Sequence, residues 1–315
     1  MNVIGGYFEL ELCKGEHYHK DALKLNTARN GFEYVLRASH FRKVYVPYYT
    51  CEVMLEPIKK LGIDYTFYLI NEALEPLELP ELKEGDAFLY TNYFGLKQTC
   101  VKHLAEIYGK RLIVDNAQAF YAEPIQGINT FYSVRKFFGV PDGAYLYTNN
   151  LFHEDLERDY SYERMSHLLK RMDAGAEFGF TDFRNNDAAL CNQEIKRMSK
   201  LTEALLLGID HETVIQKRRK NFSFLDGFLK ETNLIQLKMD EDSVPMVYPY
   251  YTKDLSLRQK LIENKVFVAT YWPNVKEWAK EGMVEYEMAE QLIPIPIDQR
   301  YGSEEMQVVC DIVAK

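Results

Sequence analysis

The chain is most informative at Leu112-Ile113-Val114-Asp115-Asn116-Ala117-Gln118, where an apolar strand runs into a carboxylate and then an amide. A second stretch follows at Ser133-Val134-Arg135-Lys136-Phe137-Phe138-Gly139-Val140-Pro141-Asp142-Gly143. It places a hydroxyl three residues before a lysine and continues into a loop with Gly and Pro. In open α/β sheets, ligands bind at the carboxyl ends of the strands. We therefore expect Asp115 and Lys136 to belong to one site.

The segments around these stretches predict alternating strands and helices. Apolar spacing predicts helices at 28–38, 53–61 and 99–108, with Phe32, Val35 and Leu36 on the buried face of the first. Strands are predicted at 44–47, 65–70, 86–93 and 112–114. Alternation with short connections is typical of crossover units, so we expect an α/β fold with a mainly parallel sheet flanked by helices.

The pattern changes after Asp142. Two long helices are predicted at 186–207 and 212–229. An α+β order follows, with strands at 245–250 and 266–270 and helices at 256–263 and 303–314. We place a domain boundary near residue 208, which gives a large domain over 1–208 and a small C-terminal α+β domain over 209–315.

Composition narrows the function classes. The 315 residues include 38 Lys and Arg against 47 Asp and Glu, and the net charge of −9 argues against a general nucleic-acid binder. No apolar stretch approaches the ~20 residues of a membrane span, and the first six residues lack a signal-peptide pattern. The five dispersed cysteines and the scattered histidines predict reduced thiols in a cytoplasmic protein with no metal site.

Pyridoxal phosphate (PLP) requires the groups that the two stretches bring together. It needs an amine for a Schiff base, a carboxylate for its pyridine nitrogen, and hydroxyls or N–H groups for its phosphate. Lys136, Asp115 and Ser133 are candidates for these roles, and Gln118 for a donor to the ring oxygen. The aromatic neighbours of Lys136 are expected to exclude water and favour its neutral form. Taken alone, Asp115 is typical of a helix cap and Lys136 of a surface charge.

Five segments in order resemble the DegT-type sugar aminotransferases, a branch of the fold-type I PLP enzymes. They are the small-residue loop at 25–31, Val46-Pro47-Tyr48-Tyr49-Thr50 with the helix after it, the stretch around Asp115, the lysine loop at 136–143, and the segment 292–305. The resemblance implies a fold-type I PLP-transferase that transfers an amino group from a glutamate-like donor to a keto-sugar nucleotide. It also implies a homodimer.

The same resemblance assigns further residues. Thr27 and Ala28 match the start of a helix that binds the cofactor phosphate, and Cys51 stands where the family has an aromatic residue stacked on the cofactor ring. Arg184 and Asn185 loosely match a segment that reaches the cofactor phosphate of the other subunit.

The chain also departs from the family pattern. Besides Cys51, the lysine loop is one residue short, and Tyr49 or Tyr93 could supply the missing stack. Trp272 is expected in the substrate wall or in the core. A catalytically degenerate protein that serves as a binding module therefore stays open as the alternative function.

Overall fold

The computed structural model describes residues 4–151 and 155–314, so the first three residues of the N-terminal segment considered above lie outside it. In this part of the chain a seven-stranded sheet has the order β1-β7-β6-β5-β4-β2-β3. Pairing is parallel from β3 through β2, β4 and β5 to β6, and antiparallel at β6–β7 and β7–β1. The strands are β1 Leu23–Leu25, β2 Lys43–Pro47, β3 Asp64–Tyr68, β4 Asp86–Thr91, β5 Leu112–Asp115, β6 Asn129–Ser133 and β7 Ala144–Tyr147. The predicted α/β class with a mainly parallel sheet is confirmed.

Helices connect the strands and continue beyond the sheet. They are α1 Ala28–Ser39, α2 Leu55–Lys60, α3 Gln98–Tyr108, α4 Ser166–Ala174, α5 Phe180–Ala189, α6 Lys200–Leu207, α7 His211–Leu229, α8 Leu257–Glu263, α9 Val275–Trp278, α10 Val284–Gln291 and α11 Ser303–Ala314. Short 3-10 turns lie at Glu52–Met54, Tyr93–Gly95, Gly109–Arg111, Val134–Lys136 and Tyr162–Arg164. A second sheet of two antiparallel strands pairs β8 Val247–Tyr251 with β9 Leu292–Pro296.

Helix α1 forms for the reasons that its sequence predicts. The Thr27 side chain caps the helix by accepting from the Asn30 amide. Phe32, Val35 and Leu36 are all buried, and the Phe32 ring lies 5.7 Å from that of Phe131 on β6. The helix is therefore packed against the sheet, and its N-terminus stays fixed near the strand ends.

The single long helix predicted at 186–207 is wrong. The chain forms α5 and α6 with an irregular segment between them, in which Asn192 adopts a left-handed φ of 53°. The side chains of Asn26 and Asn30 donate to the Glu194 carbonyl, at 3.0 and 2.5 Å. These long-range hydrogen bonds hold the segment in a non-helical form and override its local periodicity.

The strand predicted at 266–270 is also wrong, because that segment forms no strand and β8 pairs with β9 instead. We did not predict β9, whose prolines at 294 and 296 argue against a central strand. In a two-stranded sheet every strand has a free edge, which explains why they are tolerated. The expected boundary near residue 208 falls between α6 and α7 and stays a prediction.

Candidate functional site

The carboxyl ends of β4, β5 and β6 lie side by side, because the three strands are parallel neighbours. Thr91 pairs in register with Asp115, and Ser133 ends the next strand. A cavity of about 380 Å³ opens at this edge, within the usual size of a small-molecule site. Among the predicted site residues, those that line it are Thr27, Ala28, Cys51, Asp115, Gln118, Ser133 and Lys136.

Asp115 is a buried carboxylate at the floor of the cavity. Its Oδ1 accepts a hydrogen bond from the Ala117 amide at 2.8 Å. Burial raises the pKa of the Asp115 carboxyl, while the Ala117 amide and the charge of Lys136 oppose that rise. A cationic group in the cavity would favour the ionised form of Asp115 further.

Gln118 lies beside Asp115 with its amide orientation fixed. Its Oε1 accepts from the Phe94 amide at 2.8 Å, and Phe94 holds an unusual positive φ of 58° in the Tyr93–Gly95 turn. The Gln118 Nε2 is buried and has no hydrogen-bond partner. A buried donor without a partner costs about 1–3 kcal/mol, so this amide is poised to donate to a ligand.

Lys136 reaches the cavity from the Val134–Lys136 turn, directly after β6. Its Nζ lies 5.7 Å from the centre of the Tyr271 ring. The expectation that the neighbouring rings exclude water from this lysine is wrong, because the Lys136 side chain is exposed. Phe137 and Phe138 are instead buried in the main hydrophobic core, so they anchor the turn and leave the amine free.

The loop after Lys136 is held by Asp142, which is fully buried. Asp142 accepts hydrogen bonds from the hydroxyls of Ser161 and Thr202, both at 2.5 Å. Arg164 forms an ion pair with Asp142 and also binds Asp159 at 2.6 Å. The lysine loop is therefore tied to α6 and to the Tyr162–Arg164 turn by charged hydrogen bonds.

The N-terminus of α1 forms another wall through Thr27 and Ala28. The Thr27 hydroxyl is occupied within the helix start, since it accepts from the Asn30 amide and donates to Asn30 Oδ1. The first backbone N–H groups of a helix have no intrahelical acceptor and favour an anion. Ser133 adds a hydroxyl that makes no capping bond to the turn it precedes.

Cys51 lines the cavity, and burial raises the pKa of its thiol, which favours the neutral form. The suggestion that Tyr49 or Tyr93 supplies a ring contact is wrong. Both are fully buried, neither lines the cavity, and the Tyr93 hydroxyl donates to the Tyr49 carbonyl. The tyrosine that does line the cavity is Tyr271, which the sequence gave no reason to select.

Arg184 and Asn185 are exposed on α5 and do not line the cavity of their own chain. The same helix contributes Phe183 and Asp187 to the lining. Their predicted contact with the cofactor of another subunit stays a prediction.

Other residues of the lining were missed by the sequence reasoning. Thr91 could have been found from its place at the end of a predicted strand next to Asp115. Trp272 is buried, belongs to the main core and also lines the cavity, so both expectations for it hold.

Within the described ranges, no group of three or more His, Cys, Asp or Glu side chains is arranged to hold a metal ion. No helix among those residues combines the length and the apolar character needed to cross a membrane. The five cysteines are all free.

No family model matches the chain, and no curated protein matches it. Solved structures do share its fold. DesV from S. venezuelae, solved in complex with a ketimine intermediate, is 17% identical with a TM-score of 0.64, over 96% of this chain and 85% of that one. DesI, solved in the presence of its TDP-sugar product, is 13% identical with a TM-score of 0.64, over 93% and 79%. Spr1654 from Streptococcus pneumoniae, in its PMP form, is 15% identical with a TM-score of 0.62, over 92% and 86%. The chain therefore has the fold of these sugar aminotransferases, the fold-type I transferase fold that the sequence predicts.

Proposed function

We propose that this protein is a PLP-dependent aminotransferase. The observation that carries the proposal is the partnerless Gln118 Nε2, which lies in the same cavity as the buried Asp115 carboxylate and the free Lys136 amine. An amide, a carboxylate and an amine are three of the groups that PLP requires. A sugar aminotransferase fold around them supports the same conclusion.

The residues present fit the cofactor. Asp115 would bind the pyridine nitrogen, Gln118 the ring oxygen, and the α1 N-terminus with Ser133 the phosphate. Lys136 would bond to the aldehyde carbon. When bound, PLP supplies an electron sink for the substrate carbon that loses a proton.

The chemistry of the chain's own groups follows from their positions. Asp115 keeps a positive charge at the pyridine nitrogen, because its burial makes the carboxylate strongly dependent on a cationic partner. The exposed Lys136 Nζ, once released, takes the proton from the Cα of the amino donor and returns it one atom away. The same amine acts in the reverse direction on the acceptor.

The proposed substrates are a glutamate-like amino donor and a keto-sugar nucleotide. The TDP-sugar product solved with DesI supports the second. Arg29 and Arg135 line the cavity and are the cations available to a diphosphate. Each is paired with one carboxylate, Arg29 with Glu56 at 3.2 Å and Arg135 with Asp187 at 2.9 Å.

We also propose a homodimer. Met172 on α4 is 86% exposed and Phe180 on α5 is 58% exposed. Phe183 lines both the candidate site and an adjacent apolar cavity that Phe180 also lines. An exposed apolar patch that continues into a ligand site is typical of an interface. Replacing Phe180 with Asp should shift the mass measured by light scattering from dimer to monomer.

Mixing the PLP-loaded protein with glutamate, glutamine or aspartate alone tests the reaction. At least one donor should bleach the visible band and release its 2-oxo acid without any acceptor. Borohydride reduction and peptide mapping should place the pyridoxyl group on Lys136. The variant Lys136→Ala should retain its far-UV spectrum and lose the bleaching.

Asp115→Asn should keep much of its cofactor and lose several orders of magnitude in rate, since the electron sink weakens. Near-normal turnover would reduce Asp115 to a structural turn residue. If none of the donors alters the spectrum, the aminotransferase proposal fails, and the degenerate binding protein takes its place.

A further inference from the structure

Tyr271 is an aromatic side chain in the site with no assigned role. It belongs to the segment between α8 and α9 and lines the cavity together with Trp272. Its ring lies 5.7 Å from Lys136 Nζ and is stacked on Phe94 at 6.2 Å with an interplanar angle of 28°. Tyr271 is therefore close to the two groups that would bracket a bound ring, the lysine and the turn that orients Gln118.

The segment that carries Tyr271 is fixed on its other side. The buried Asn274 Nδ2 donates to the Thr50 carbonyl at 2.9 Å. Trp272 packs edge-on against Tyr49 at 5.1 Å. Both contacts tie residues 271–274 to the loop that ends in Cys51.

Cys51 and Tyr271 lie near each other in the cavity. Burial raises the pKa of the Tyr271 phenol to about 12, and the Cys51 thiol adds to the rise. The phenol is thus neutral at physiological pH. Cys51 is too small to offer a ring surface, whereas Tyr271 offers one within the same cavity.

We propose that Tyr271 supplies the aromatic contact to the cofactor ring that Cys51 lacks. This inference rests on the proposed function. Aromatic rings prefer offset or edge contacts with other rings, and such a contact adds to the apolar area that is buried. The C-terminal part of the chain thereby provides a contact that the resemblance places on the loop after β2.

Titrating apo-protein with PLP, followed by visible absorbance and protein fluorescence, tests the inference without measuring turnover. Tyr271→Phe should bind as the wild type does. Tyr271→Leu should bind about tenfold more weakly, the fold-change of a stacking contribution of about 1.4 kcal/mol. Tyr45→Leu is the matched control, a half-buried tyrosine on β2 outside the cavity, and should bind normally.

The compensating variant sharpens the test. In Tyr271→Leu, adding Cys51→Phe should restore most of the affinity, since it returns a ring to the position that the related family uses. If Tyr271→Leu does not fold, Tyr271→Met is titrated in its place with the same expectation, because methionine fills a similar space.

Two results would overturn the inference while leaving the proposed function intact. One is wild-type affinity in the folded leucine or methionine variant. The other is a loss in Tyr271→Phe as large as in Tyr271→Leu, which would assign the effect to the hydroxyl. A wild-type protein that takes up no PLP would instead overturn the proposed function, and this inference with it.

Discussion

Replacing Asp142 with Asn should loosen the lysine loop at its most buried point. Asp142 is fully buried and accepts two hydroxyl hydrogen bonds and the Arg164 ion pair. Breaking a buried ion pair costs about 3–5 kcal/mol when it leaves a charge uncompensated. Arg164 keeps Asp159 at 2.6 Å and has 20% of its side chain exposed, so the lower end applies. We expect the free energy of unfolding to fall by about 3 kcal/mol.

Urea unfolding followed by far-UV circular dichroism measures this change by linear extrapolation. Glu290→Gln is the matched control. It removes the Lys276–Glu290 ion pair, whose side chains are 37% and 33% exposed, and should cost no more than about 0.5 kcal/mol. PLP affinity should also fall in Asp142→Asn, because Lys136 directly precedes the loop. A loss as small as that of the control would refute the claim that this network holds the loop.

Three further outcomes are expected. Gln118→Met should weaken PLP binding about tenfold yet change unfolding free energy by less than about 1 kcal/mol, since removing the partnerless Nε2 offsets the lost acceptor for Phe94; titration and urea unfolding check both. Arg218→Met should destabilise the fold by about 3 kcal/mol in the same unfolding assay, because the buried guanidinium donates to the Met246 carbonyl and to Gln299 and lies 4.4 Å from the Phe137 ring; a loss below 1 kcal/mol would contradict it. Burial lowers the pKa of His19 to about 4, below its ordinary 6.5, so the unfolded chain binds more protons between these values, and stability should fall as pH drops from about 6.5 to about 4; a flatter pH profile in His19→Gln would confirm the source.

The floor of the site was predictable from sequence because it depends on local signals. A strand that ends in Asp115 and a cap at Thr27 are read from a few neighbouring residues. The neighbours of the floor were harder to predict, since they arise from contacts across long separations. Tyr271 reaches Lys136 from 135 positions away, and Asp142 finds Thr202 60 positions on. Periodicity carries no information on such pairings, which is also why the helix predicted at 186–207 failed at the Asn26 and Asn30 contacts.

The polar groups of the cavity bear on whether the fold still binds a ligand. Asp115 is buried with a raised pKa, and Gln118 Nε2 is buried without a partner. Each arrangement lowers the stability of the empty protein, by about 1–3 kcal/mol for an unpaired polar group. A protein that used this fold only for its outer surface would gain stability from apolar side chains at both positions. Retention of both groups, oriented by Ala117 and Phe94 towards the same cavity as Lys136, is what a site built to receive a polar ring requires.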